Sequence, residues 1–205
     1  MFIVKIVPVR SFALCLAASA VLSSISQAQA HSEVPVFEIM HLSSTIEFDV
    51  EASVAIKGTF SEWDATLTFT STDVTTGVLD IKIQADSVDT GSGMKNGKLK
   101  GKDFFDTKRN PLITFKSTKI VQTGPDSFEA DGDFAIRGVT KPEKLIVTVS
   151  GGGTGSGDIK GTMAFDRKQY GMNSGIPFIR IADRVEVTVD LKAKRVSGPP
   201  VDLKQ

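Results

Sequence analysis

Val185-Glu186-Val187-Thr188-Val189-Asp190-Leu191-Lys192 alternates apolar and polar residues without a break. A period of two places every second side chain on one face, so this stretch is a strand with one buried and one wet side. Upstream the pattern recurs: Ile46, Phe48 and Val50 alternate with Glu47 and Asp49, and Leu79, Ile81 and Ile83 with Asp80 and Lys82. Val54 and Ile56 lead up to Gly58, Leu67 and Phe69 alternate with threonines, and Ile113 and Phe115 with Thr114 and Lys116. Phe128, Ala130, Phe134 and Ile136, then Leu145, Val147 and Val149, then Ile159, Met163 and Phe165 continue the series. About eight to ten such strands, separated by turns such as Gly124-Pro125-Asp126, predict an all-β antiparallel meander, either closed into a barrel or folded as a sandwich. A closed barrel leaves no exposed strand edge. Met94 to Phe105 breaks the pattern, with lysines and glycines around Leu99 and the pair Phe104-Phe105, and is expected to be a loop or short helix.

The first thirty residues have a different character. Lys5 and Arg10 precede an apolar run from Phe12 to Ile25, which ends in Ala28-Gln29-Ala30. This is the layout of a secretory signal peptide, predicted to be cleaved after Ala30. The run is shorter than the ~20 residues that cross a bilayer as a helix, and no later segment is apolar enough to do so. The expected organisation is a signal peptide at 1–30, one β-barrel domain at 31–196 and an extended, loosely held tail at 197–205 around Ser197-Gly198-Pro199-Pro200. A periplasmic or secreted location follows. Cys15, the only cysteine, leaves with the leader, so neither a disulfide nor a thiolate nucleophile is expected in the mature chain.

Charge narrows the function classes. The chain has 24 basic and 24 acidic residues; loss of Lys5 and Arg10 leaves 22 basic ones, so the mature protein is close to neutral. Phosphate binding needs a cationic face, and the lysines from Lys95 to Lys102 are better explained as a solvated loop, so no nucleic-acid partner is expected. The thirteen phenylalanines stand against one tryptophan and one tyrosine, which gives inward faces large apolar rings without polar groups to satisfy. Such faces build either a solid core or a pocket, and periodicity does not choose between them.

An ordered set of motifs does more. Ser44-Thr45-Ile46-Glu47-Phe48, Gly58-Thr59-Phe60, Ser87-Val88-Asp89-Thr90, Lys102-Asp103-Phe104-Phe105-Asp106, Asn110-Pro111-Leu112-Ile113-Thr114-Phe115 and Gly132-Asp133-Phe134-Ala135-Ile136-Arg137-Gly138-Val139-Thr140-Lys141-Pro142 follow one another. Over about Phe37 to Lys194 the chain resembles the YceI-like, polyisoprenoid-binding family. The resemblance implies an extended eight-stranded lipocalin-like barrel holding an isoprenoid or other long-chain amphiphile, such as a polyisoprenoid, quinone or fatty-acid derivative. It implies a binding or carrier protein with no cofactor and no catalytic residues, and leaves a homodimer open. Two departures affect the headgroup contacts: Glu51-Ala52 stands where many members have a histidine, and Gly-Ser-Gly-Met-Lys-Asn replaces the usual acidic residue before the mid-chain helix.

Burying each methylene of an isoprenoid gains about 0.8 kcal/mol, so an apolar tube binds it without a polar anchor. On that basis the expected lining is Ile46, Phe48, Phe60, Phe69, Ile81 and Ile83, followed by Phe115, Phe134, Met163 and Phe165, with Leu99, Phe104 and Phe105 closing one mouth. Arg137, Arg167, Asp103 and Asp106 are secondary candidates for a headgroup, and Gly138 and Pro142 are read as turn residues. Three rivals remain: a solid barrel that docks a partner, a carboxylate-pair enzyme, and a copper site built from His31 at the new N-terminus with His41. Gly151 to Gly157 is read as a hairpin connection and not a phosphate loop, since no helix pattern follows it.

Overall fold

The computed structural model describes residues 33–54, 56–151, 155–175 and 178–203. Residues 31–205 form one compact unit. The expected leader and its cleavage site lie outside the described residues, as does His31.

The described residues contain eleven strands and one α-helix. The strands are β1 (Val36–Ile39), β2 (Thr45–Ala52), β3 (Ile56–Phe60), β4 (Trp63–Thr68), β5 (Val78–Gln84) and β6 (Val88–Asp89). After the helix α1 (Gly93–Lys100) come β7 (Leu112–Gln122), β8 (Ser127–Ile136), β9 (Val139–Ser150), β10 (Ser156–Asp166) and β11 (Ile181–Ser197). All the strand ladders are antiparallel, and side chains alternate inward and outward as the sequence pattern requires.

Eleven strands make eight staves because three staves bend. Strands β1 and β2 both lie along β11, with Ile39 opposite Ala193 and Thr45 opposite Asp190, and the short turn His41–Ser43 between them. Strands β3 and β4 pair with β6 and β5 across one bend. There the Ser61 N–H donates to the Ser87 carbonyl at 3.3 Å and the Gln84 N–H to the Glu62 carbonyl at 2.9 Å, so the ladder continues through it. From there neighbours follow in the order β5, β7, β8, β9, β10, β11, and β11 returns to β2. The result is the all-β, lipocalin-like barrel that the family resemblance implies, with eleven strands in place of the eight expected. Between β1 and β4 side chains make the join: Phe37 and Phe69 meet at 5.7 Å between ring centres, and His41 stacks on Trp63 at 4.2 Å.

The β8–β9 hairpin turns through Arg137 and Gly138, both left-handed at φ 55° and 74°. That pair of positive φ values is the tight hairpin turn whose twist matches the flanking strands. Gly138 fits it at no cost, whereas Arg137 does not. Pro142 is not the end of this connection. It sits inside β9 opposite Asp133, where β10 does not yet flank β9; that ladder starts at Ile146. A proline is tolerated there because no donor is required on the open flank.

Candidate ligand chambers

The barrel interior is not filled by side chains throughout. One cavity of about 110 Å³ lies at the end covered by α1, and a second of about 160 Å³ at the opposite end. They share no lining residue. Between them Ile81, Phe115, Leu145, Met163, Val189 and Leu191 are all buried and face neither cavity. Two inward glycines make this layer fit: a Cβ at Gly132 would lie 2.7 Å from the Phe115 ring, and one at Gly161 about 3.0 Å from Leu145. Large side chains thus lie over glycines and close the barrel at its waist.

The first chamber is lined by nine of the thirteen residues named from the sequence, which are Ile46, Phe48, Phe60 and Ile83 together with Leu99, Phe104, Phe105, Phe134 and Phe165. Phe48 faces Gly58 across the β2–β3 ladder and folds its ring over it, a Cβ there being only 2.6 Å from the ring. Its ring meets Phe60 at 5.6 Å and Phe105 at 6.3 Å, and Phe134 meets Phe165 at 5.0 Å. These tilted and edge-on pairs are favoured ring geometries. Leu99 and the Phe104-Phe105 pair come from α1 and the turn after it, which fold over this mouth. Phe69 lies at the other end and lines the second chamber, while Ile81, Phe115 and Met163 belong to the waist.

Three cationic side chains, Lys95, Lys98 and Arg167, complete the lining of the first chamber. Arg167 is buried, and its guanidinium ties together the end of β10, the loop after it and the start of β11. Nε donates to the Ala182 carbonyl at 3.0 Å, Nη1 to the carbonyls of Met172 and of Ser174 (3.1 Å for the latter), and Nη2 to Asp183 at 3.2 Å. The hydrogen bond from Lys168, with the charges of Lys168 and Arg167, holds the Asp183 carboxyl below the usual carboxylate range. Lys98 donates to Asp103 at 2.8 Å, which lowers that carboxyl in the same way, and its ammonium sits 5.8 Å from the centre of the Phe104 ring. Arg137, placed by its left-handed backbone, reaches across this end and donates to the Gly171 carbonyl at 2.6 Å and the Lys102 carbonyl at 2.9 Å. It clips two loops of the mouth together. Asp106 is a turn residue at φ 50°, its carbonyl accepting from the N–H groups of Arg109 and Asn110.

Several residues at this end were not singled out from the sequence. Val185, Val187 and Ile136 were on inward faces already recognised, but alternation gives the face of a strand and not its height in the barrel. Tyr170 gave no signal. It is fully buried against Phe134 and Phe165, and its phenol donates to Glu143 at 2.7 Å. Burial, then that carboxylate, pushes its pKa well above the ordinary phenol value. His41, half of the copper reading, stacks on Trp63 and lies 3.7 Å from Asp64.

A match to the YceI-like domain covers residues 29–193. The chain belongs to the YceI-like family. Among curated relatives, protein YceI of Escherichia coli is 34% identical over 96 residues, which is 47% of this chain and 50% of that protein. The chain spans about half the length of the curated relatives it matches. Two solved structures share the fold: Burkholderia cenocepacia BcnA, with a TM-score of 0.69 at 24% identity over 76% of this chain and 99% of that one, and a polyisoprenoid-binding domain from Saccharophagus degradans, with a TM-score of 0.59 at 12% identity over 78% and 99%. Among the described residues of this YceI-like barrel, no helix is long and apolar enough to cross a membrane.

Proposed function

We propose that this protein is an exported carrier that holds a long apolar amphiphile with its chain in the first chamber. The observation that carries this is a space of about 110 Å³ whose exposed lining is apolar, Lys95, Lys98 and Arg167 contributing only their stems to it. Apolar burial supplies the affinity at about 0.8 kcal/mol per methylene, so no polar anchor is required. The shared fold of the Saccharophagus degradans polyisoprenoid-binding domain supports an isoprenoid as the ligand class. Export rests on the leader and on cleavage after Ala30, which N-terminal sequencing of the mature protein tests by finding His31.

Titration of the delipidated protein with an environment-sensitive apolar dye, followed by displacement with a polyprenyl phosphate, tests the binding. Saturable dye binding, displaced by the polyprenyl phosphate and lost in Val187→Phe, is expected. Dye binding that never saturates, or that Val187→Phe leaves untouched, would remove the chamber from the proposal. The solid-core reading has less support, because the waist alone is packed through.

A further inference from the structure

The second chamber is separated from the first by the waist and has a wall of its own. Its rim is built from the Phe37–Phe69 ring pair, from the β9–β10 end, and from residues beyond β11. Chain direction changes at Gly198, whose φ is 78° and where a Cβ would lie 2.0 Å from the Val34 carbonyl oxygen, so only glycine fits. The segment that follows is not loosely held. The Asp202 N–H donates to the Thr72 carbonyl at 2.8 Å, and Thr72 Oγ1 donates to the Asp202 carboxylate at 2.5 Å. Pro200, Val201 and Leu203 are thereby laid against the cavity as part of its lining. The family match stops at residue 193, so this strap lies beyond it.

Chemistry at this chamber differs from that at the first. Among its described lining residues Arg195 is the only charged one, and the remainder are apolar, glycine or Ser156. Arg195 is placed by β11, its N–H donating to the Gly155 carbonyl at 2.7 Å and its Nη1 to the Gly198 carbonyl at the root of the strap. A guanidinium presents five donors in a fork that matches a carboxylate. One cation at the edge of a short apolar space fits a single-chain carboxylate.

We propose that the second chamber is an independent binding site for a medium-chain fatty acid, its carboxylate on Arg195 and its chain under the strap Pro200–Leu203. The protein then holds two apolar ligands, one at each end, and the strap controls exchange at this site alone.

The test uses the delipidated full-length mature protein and decanoate labelled with carbon-13 at the carboxyl. Two saturable carboxyl resonances are expected. Arg195→Gln should weaken one at least tenfold and leave the other in place, and a chain ending at Gly198 should accelerate exchange of the same one. Val187→Phe, which fills the first chamber, should remove the other. A single resonance lost on Val187→Phe and unmoved by Arg195→Gln overturns the second site while leaving the carrier proposal standing. Two resonances lost together on Val187→Phe overturn the independence of the chambers, and no saturable resonance at all overturns the second site, while the carrier proposal is judged by polyprenyl phosphate displacement. The Arg195→Gln arm changes a half-exposed residue without altering the core, so the outcome does not depend on whether the filled variant folds.

Discussion

Phe115→Ala removes the ring that lies over Gly132 and joins the two chambers. Phe115 is 5% exposed, pairs with Ile81 on β5 and Phe134 on β8, and sits in the layer that separates the cavities. Truncating a buried phenylalanine costs about 3–5 kcal/mol, the amount depending on how far the neighbours collapse. Here collapse is restricted, because backbone ladders hold the barrel walls apart and cavities lie on both sides. The cost should therefore fall in the upper part of that range, about 4–5 kcal/mol, against a total of about 5–15 kcal/mol for a native domain. Urea unfolding followed by circular dichroism measures it, with the slope unchanged and the midpoint lowered. A ligand long enough to fill the joined tunnel restores about 2.7 kcal/mol at one hundred times its dissociation constant. Short ligands should bind the variant no better than the parent, whereas long ones gain. A loss below about 1.5 kcal/mol, the cost of a conservative core exchange, or equal gains for short and long ligands, would show that Phe115 does not close the waist.

Other perturbations probe the mouth and the frame. Arg167→Met keeps the stem but leaves the carbonyls of Ala182, Met172 and Ser174 without their donor, and should cost about 3–5 kcal/mol in urea, as breaking a buried charged network does; a loss under about 1 kcal/mol would mean those carbonyls hydrate freely. Ser117→Ala should cost about 1–3 kcal/mol, because the Leu79 N–H donates to the Ser117 hydroxyl at 2.9 Å inside the barrel and would be left unpaired. The single tyrosine makes a clean optical titration: Tyr170 should show no phenolate absorbance at 295 nm until well past pH ~10, where an unfolded chain ionises. Since its native pKa is raised, the unfolded state releases its proton first, so this contribution is complete below pH ~10 and is lost as the pH rises above it. Ionisation near pH ~10 without unfolding would contradict the buried contact with Glu143.

Alternation along β11 reveals a strand with Val185, Val189 and Leu191 inward, and all three are buried. The same pattern exposes most of the barrel, because a half-buried sheet leaves a period of two in the sequence. Bends within a stave leave no such trace. Ser61-Glu62 and His41 to Ser43 have no glycine or proline, so nothing in the sequence marks where those staves bend, while Pro142 looks like a stop and is in fact tolerated on an open flank. Height inside the barrel is equally hidden: Phe48 and Phe69 share an inward pattern, yet a packed layer lies between them. Lys95 and Lys98 belong to a stretch whose composition suits a solvated loop, and only the fold of α1 over the mouth brings them to the chamber. The tail shows the same limit, since Ser197-Gly198-Pro199-Pro200 has the composition of loose chain and the tether between Asp202 and Thr72 joins residues 130 positions apart.

Native mass spectrometry of the protein purified gently from its own host, with an organic extract of the same sample, bears most directly on whether the barrel carries an apolar ligand. A stoichiometric hydrocarbon-rich adduct, released into the organic phase and absent from a Val187→Phe preparation of equal fold, is the predicted result. Bare protein mass, an extract free of lipid and no uptake when polyprenyl phosphate is added back would contradict it.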